Sequence, residues 1–156
     1  MNVAGRTYSR FANEFTRNTL SKLLEVAGEP DKYQTVMSEL GLRLGEALES
    51  SLPSGAKCLI VSTAEDADFL TAGVMQALGS NHDVFAAVFW NNHQQVPGGS
   101  VAPIVHKYVQ PGFESADTLV IVKSVISGSC VVRTNILALI EKLDVKKICI
   151  LSHVMH

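Results

Sequence analysis

The sequence predicts an α/β fold: a mostly parallel central sheet flanked by helices, with a helical segment at the N-terminus. Three observations carry this expectation. Short apolar runs alternate with amphipathic stretches, the order from which βαβ units are built. The runs are largely unbroken by polar positions, as strands covered on both faces require. The chain of 156 residues, 47% hydrophobic and 18% charged, is large enough for one domain with a buried core.

Taken in order, a helix is expected over roughly 8–27, carried by Phe11, Phe15, Leu23, Leu24 and Ala27 and ended by Gly28. Pro30-Asp31 reads as the start of a second helix, with Tyr33, Val36, Met37, Leu40, Leu44 and Leu48 along one stripe of 33–50. The first strand is 58–61, Cys-Leu-Ile-Val. A helix over 66–78 follows, its stripe formed by Phe69, Leu70, Val74 and Leu78. The run 84–90 is the next strand, and 91–100, Asn-Asn-His-Gln-Gln-Val-Pro-Gly-Gly-Ser, is a long polar loop. Residues 104–109 alternate and suit an edge strand or a hairpin arm. A strand at 118–122, a helix at 131–143 and a strand at 148–151 complete the pattern. One domain over 1–156 is expected, with 1–30 as a helical appendage.

Composition excludes several classes. The formal net charge is −2 and no basic patch is visible, so a nucleic-acid partner is not expected. No apolar run approaches the ~20 residues of a membrane span. No basic segment followed by an apolar one opens the chain, so a secretory leader is not expected. Three cysteines give no disulfide framework, and Cys58 and Cys149, in apolar runs, read as buried thiols. The expected location is the cytoplasm.

Ligands of open parallel sheets bind at the carboxyl ends of the strands. Two segments stand there: Ser62-Thr63-Ala64-Glu65-Asp66, and Lys123-Ser124-Val125-Ile126-Ser127-Gly128-Ser129-Cys130. The second has the makings of an anion cradle. Free N–H groups at a helix start carry partial positive charge, Gly128 admits close backbone approach, Ser127 and Ser129 add hydroxyls, and Lys123 adds a charge. A cap and a turn are the plainer reading of the same residues. Glu65, Asp66 and Asp68 suit a helix start electrostatically, or a ribose or metal site. His93 is a solvated loop residue or a substrate contact on a flap. His153 follows the last strand, where it can line a pocket. Cys130, at a helix start, is a reactive thiol or a packed one. Phe89 and Trp90 end a strand as core residues or as a surface on which a base stacks.

The stretch Thr118-Leu-Val-Ile-Val-Lys-Ser-Val-Ile-Ser-Gly-Ser-Cys, with the helix after it and Lys147-Ile-Cys-Ile-Leu-Ser-His153, resembles the core of type I phosphoribosyltransferases, most nearly the uracil phosphoribosyltransferase-like branch. The resemblance spans roughly 33–153, mostly as element order. It implies that Ser127 to Cys130 wrap a 5-phosphate, that Ser62 and Thr63 belong to a pyrophosphate loop, and that 91–100, with His93, is a flap. The family's two acidic positions, which hold ribose hydroxyls, fall on Lys123 and Ser124, so the phosphoribosyl pyrophosphate motif is degenerate. The expectation is a domain that binds a phosphorylated ribose or nucleotide, with weak or no transferase activity. The alternatives are an active phosphoribosyl- or glycosyl-transfer enzyme in which Glu65 or Asp66 replaces the acidic pair, and a non-enzymatic regulatory or assembly subunit. A homodimer or larger assembly is expected, and magnesium only alongside a bound pyrophosphate.

Overall fold

The structure, a computed structural model, describes residues 7–155. Helix α1 (Glu14–Glu25) starts at Asn13, whose Oδ1 accepts the Thr16 amide at 2.8 Å. Helix α2 (Pro30–Glu49) follows with its proline in the first turn. Strand β1 (Lys57–Thr63) leads into a helix in three parts: α3 (Ala64–Asp66), a π-helical turn (Ala67–Thr71) and α4 (Ala72–Leu78). Strand β2 (Asp83–Asn91) is followed by β3 (Gln94–Val96), β4 (Gly99–Val101) and β5 (Ile104–Val109). Then come β6 (Thr118–Ile126), α5 (Cys130–Ile140) and β7 (Lys147–Met155).

The main sheet has the order β5-β2-β1-β6-β7, parallel throughout except that β5 runs antiparallel to β2. Because strand side chains alternate between faces, the sheet carries two cores. Cys58, Ile60, Val120 and Val122 pack with Leu40 of α2 and with Leu70, Val74 and Leu78 of the three-part helix. Leu59, Val61, Leu119, Ile121 and Phe89 pack on the other face with Val132 and Leu139 of α5. Each fully buried aliphatic or aromatic side chain contributes roughly 1.5–3 kcal/mol, so this two-sided burial is the main support of the fold. Cys58 is fully buried; its thiol is pushed up to about 11, first by loss of solvation and then by the charges of Asp117, Cys149 and Glu49.

The chain from β1 leaves through the α2 face to β2, and the chain from β6 leaves through the α5 face to β7. The strand order therefore reverses between β1 and β6, and a crevice opens at their carboxyl ends.

Four local expectations change. Helix α1 is shorter than 8–27 because Asn13 caps it, and the preceding residues form a turn. Strand β6 runs on to Ile126, so Lys123 and Ser124 lie on a strand and only Ser127–Ser129 form the turn before α5. The polar stretch 91–100 is largely a hairpin of β3 and β4 around Pro97-Gly98, with Gly98 at φ 89°, the conformation such a turn requires of its second residue. Strand β7 is an edge and is covered on one face only: Ile148 and Ile150 are 46% and 49% exposed, while Cys149 and Leu151 pack inward.

Candidate functional site

A cleft of about 850 Å³ lies at the carboxyl ends of β1 and β6. Its floor is the strand tops and its far wall is the start of α5. Its roof is the β3–β4 hairpin, through Gln95, Gly98, Gly99 and Ser100. Two contacts fasten that roof. Asn91 and Asn135 exchange side-chain amide hydrogen bonds of 2.9 and 3.1 Å, and Asn91 also donates to the Ala102 carbonyl at 3.0 Å. The Cys130 thiol donates to the Ser100 carbonyl at 3.2 Å.

At the floor, Thr63, Asp66 and Lys123 form a closed triangle. The Lys123 ammonium lies 3.4 Å from Asp66 Oδ2 and 3.5 Å from Thr63 Oγ1, and the Thr63 hydroxyl donates to Asp66 Oδ2 at 3.3 Å. Asp66 is only 3% exposed, so these partners replace the water its carboxylate has lost. The ammonium has three donors and two are engaged, leaving one for the cleft.

At the wall, the amides that open α5 are not capped by the Ser129 side chain. Gly128 has no positive φ, and a side chain there would meet nothing within 4 Å, so neither backbone nor packing requires a glycine. The open space in front of it belongs to the cleft.

The structure thus gathers Thr63, Glu65, Asp66, His93, Lys123 and Ser124 around one cleft, with Ser127, Gly128, Ser129 and Cys130 on the same surface. It does not bring Ser62 or His153 there. Ser62 is 2% exposed and, by strand alternation, faces the α2 side, where its hydroxyl has no hydrogen-bond partner. His153 shares that face. It lines a separate cavity of about 80 Å³ beneath α1 and α2, with Leu40, Arg43 and Leu44. Two further residues complete the cleft, Asn91 from the start of the expected flap and Arg133, which no sequence signal marked. Arg133, one turn into α5, adds a second cation, and Asn91 ties the hairpin to α5. Counting one helical turn on from Cys130 would have found Arg133. Trp90, 40% exposed, packs against His106 on the edge strand with the ring centroids 5.0 Å apart and the planes tilted by 56°, and does not line the cleft.

Burial lowers the pKa of His153 below its ordinary 6.5, with the Asp66 charge opposing. The unfolded chain therefore binds more protons below pH about 6.5, and stability falls as pH drops through that value until the folded group also protonates. A His153→Gln variant is expected to flatten the pH dependence of denaturant midpoints between about pH 7 and pH 5. An unchanged slope would contradict this assignment.

The donor set does not suit a protein-held magnesium ion. Among the described residues Glu65 and Asp66 are the cleft's only carboxylates, Asp66 is already engaged by an ammonium, and no three His, Cys, Asp or Glu side chains converge on a metal position. Among the same residues, no helix is long and apolar enough to cross a membrane.

No protein-family model matches the sequence, and no curated protein matches it. Solved structures match it in fold. A hypoxanthine phosphoribosyltransferase from Staphylococcus aureus superposes with a TM-score of 0.52 at 12% identity, over 78% of this chain and 62% of that one. The AQ2163 protein of Aquifex aeolicus superposes at 0.66 and 12% identity, over 96% and 86%. A purine phosphoribosyltransferase from Pyrococcus horikoshii superposes at 0.53 and 18% identity, over 77% and 72%. The chain has the type I phosphoribosyltransferase-like fold, and it spans 62% of the length of the Staphylococcus enzyme.

Proposed function

We propose that this phosphoribosyltransferase-like chain binds a phosphorylated ribose or a nucleotide, with the phosphate seated on Ser127, Gly128, Ser129 and Cys130 and weak or no transferase activity. The observation that carries the reading is the uncapped start of α5 opening into the cleft in front of a glycine that the fold does not need. Such a turn offers backbone N–H donors and partial positive charge to a phosphate. Lys123 and Arg133 stand on the same cleft as counter-charges. The hairpin is placed to cover the ribose, with His93 and Gln95 on its cleft side. Weak transfer follows from Lys123: a cation at the strand end cannot accept hydrogen bonds from ribose hydroxyls as a carboxylate does. Glu65, exposed at the rim, is among the described residues the one cleft carboxylate free to do so.

The test is a thermal-shift panel of inorganic phosphate, ribose 5-phosphate, phosphoribosyl pyrophosphate and nucleoside mono- to triphosphates. A ligand at a hundred times its dissociation constant adds about 2.7 kcal/mol, several degrees for a domain of this size. Stabilisation by a phosphorylated ribose that is lost in Ser129→Pro or Lys123→Ala supports the reading. No shift with any member of the panel would sink it.

The edge of the sheet favours a second, compatible reading, that the chain also assembles with its own copies. Strand β7 has no strand on its outer side among the described residues, and Ile148, Ile150 and Val154 expose apolar surface along it. An unprotected edge of this kind pairs readily with another strand, and two copies related by a two-fold axis satisfy each other antiparallel. Light scattering is expected to give a dimer mass, and Ile150→Glu a monomer. A monomeric parent chain would contradict this.

A further inference from the structure

The Lys123–Asp66 pair puts a fixed cation on the floor of the cleft. Among the described residues Asp66 is the only buried carboxylate of the cleft, and its Oδ2 already receives the Lys123 ammonium at 3.4 Å and the Thr63 hydroxyl at 3.3 Å. Magnesium is held by one or two carboxylates, with water and phosphate oxygens completing six positions at close range. A dication on Asp66 would sit beside that ammonium in a partly buried site, where like charges repel strongly. Displacing Lys123 would leave a buried carboxylate to be satisfied by the ion alone. Glu65 is exposed and is not joined by a third ligand among the described residues.

The charge of the cleft points the same way. Lys123 and Arg133 are balanced by Glu65 and Asp66 among its lining side chains, so the net attraction for an anion comes from the start of α5. That field suits a phosphate monoester. A diphosphate carries more charge than it can balance without a metal ion of its own.

We propose that the ligand of this cleft binds without a divalent cation and is a phosphate monoester of a sugar or nucleoside rather than a diphosphate, with Lys123, positioned by Asp66 and Thr63, in contact with the phosphate-bearing sugar. The proposal rests on the phosphate-binding reading above and specifies its ligand and metal requirement.

Calorimetric titration of the full chain decides it, with ribose 5-phosphate and phosphoribosyl pyrophosphate as probes, each in EDTA and in magnesium at matched ionic strength. The expected result is that ribose 5-phosphate binds with an affinity that changes less than about twofold between the two conditions, beyond what screening alone would do. Phosphoribosyl pyrophosphate is expected to bind no more tightly than the monoester, with or without magnesium. Removing the cation should weaken monoester binding about tenfold to a hundredfold, the loss of one charge-assisted hydrogen bond. The variant for this is Lys123→Met combined with Asp66→Asn, which removes both charges together and so leaves no buried unpaired charge. Lys123→Arg keeps the cation and is expected to keep metal-independent binding. Monoester or diphosphate binding that appears only with magnesium would overturn the proposal while leaving the phosphate site standing. Absence of binding by both probes in both conditions would remove the site and the proposal together. If the double variant does not fold, the metal comparison on the parent chain is sufficient to uphold or overturn the proposal.

Discussion

Gly73→Val is expected to unfold the chain or to cost about 3 kcal/mol or more, the upper end of what overpacking does to a well-filled core. The reason is the crossing of α2 over α4. A Cβ at Gly73 would fall 2.7 Å from the Leu42 backbone nitrogen and closer still to the Ser38 carbonyl oxygen. A Cβ at Gly41 would fall 2.8 Å from the Leu70 carbonyl carbon. These neighbours are backbone atoms, which cannot rotate out of the way, so one helix would have to move off the other. The consequence reaches the cleft, because Leu70 belongs to the π-helical turn that follows Asp66. Displacing α2 therefore loosens the segment that holds the Asp66 carboxylate under Lys123. Gly128→Ala is the control: its Cβ meets nothing, and stability is expected to stay within about 0.5 kcal/mol, as at other open surface positions. Equilibrium denaturation measures both. A Gly73→Val chain that melts with the parent would show that the helices are not in backbone contact.

Lys123→Ala is expected to lower stability by about 2 kcal/mol near neutral pH, less than a fully buried pair would lose because Lys123 is partly solvated. Its side chain is 23% exposed against 3% for Asp66, so the cost falls on the carboxylate left without its partner. Combining it with Asp66→Asn is expected to recover most of that loss, since neither change then strands a charge. The two variants separate stability from binding: both lack the ammonium and both should bind phosphorylated ribose poorly, but only the single variant should melt early. A single variant as stable as its parent would mean that water, and not Lys123, satisfies Asp66.

Much of this architecture could be read from the chain. Periodicity placed the β1, β2, β6 and β7 strands and the helices between them, because strands buried inside a parallel sheet leave uninterrupted apolar runs such as 58–61 and 118–122. The same signal stopped short where polar residues continue a strand. Lys123 and Ser124 interrupt the apolar run, yet β6 pairs with β7 as far as Ile126, since its backbone finds partners whatever the side chains are. The β3–β4 hairpin was hidden for the opposite reason. Its strands are short and exposed, so no apolar pattern marks them, and Pro97-Gly98 reads equally well as loop. The open face of β7 was also out of reach, because Ile148 and Ile150 look no different from residues that a helix covers.

For the site, local motifs were informative and facing was not. The turn before α5 and the Thr63–Asp66 segment do share one cleft. His153 and Ser62 resemble them in sequence only by lying near strand ends. Alternation along β7 from the inward-packed Cys149 and Leu151 puts His153 on the α2 face, away from the cleft. Arg133 is invisible to a search for strand-end residues and becomes part of the cleft only through the helical turn that carries it back over the strand tops.

The most direct measurement is an amide NMR titration of the full chain with ribose 5-phosphate. The largest shifts are expected at the backbone amides of Gly128, Ser129, Cys130 and Val131, which open α5, with smaller ones along Gln95 to Ser100 of the hairpin and none at residues lining the cavity around His153. Shifts confined to that cavity, or to the β7 edge, would contradict a phosphate seat at α5. So would a spectrum unchanged at saturating ligand.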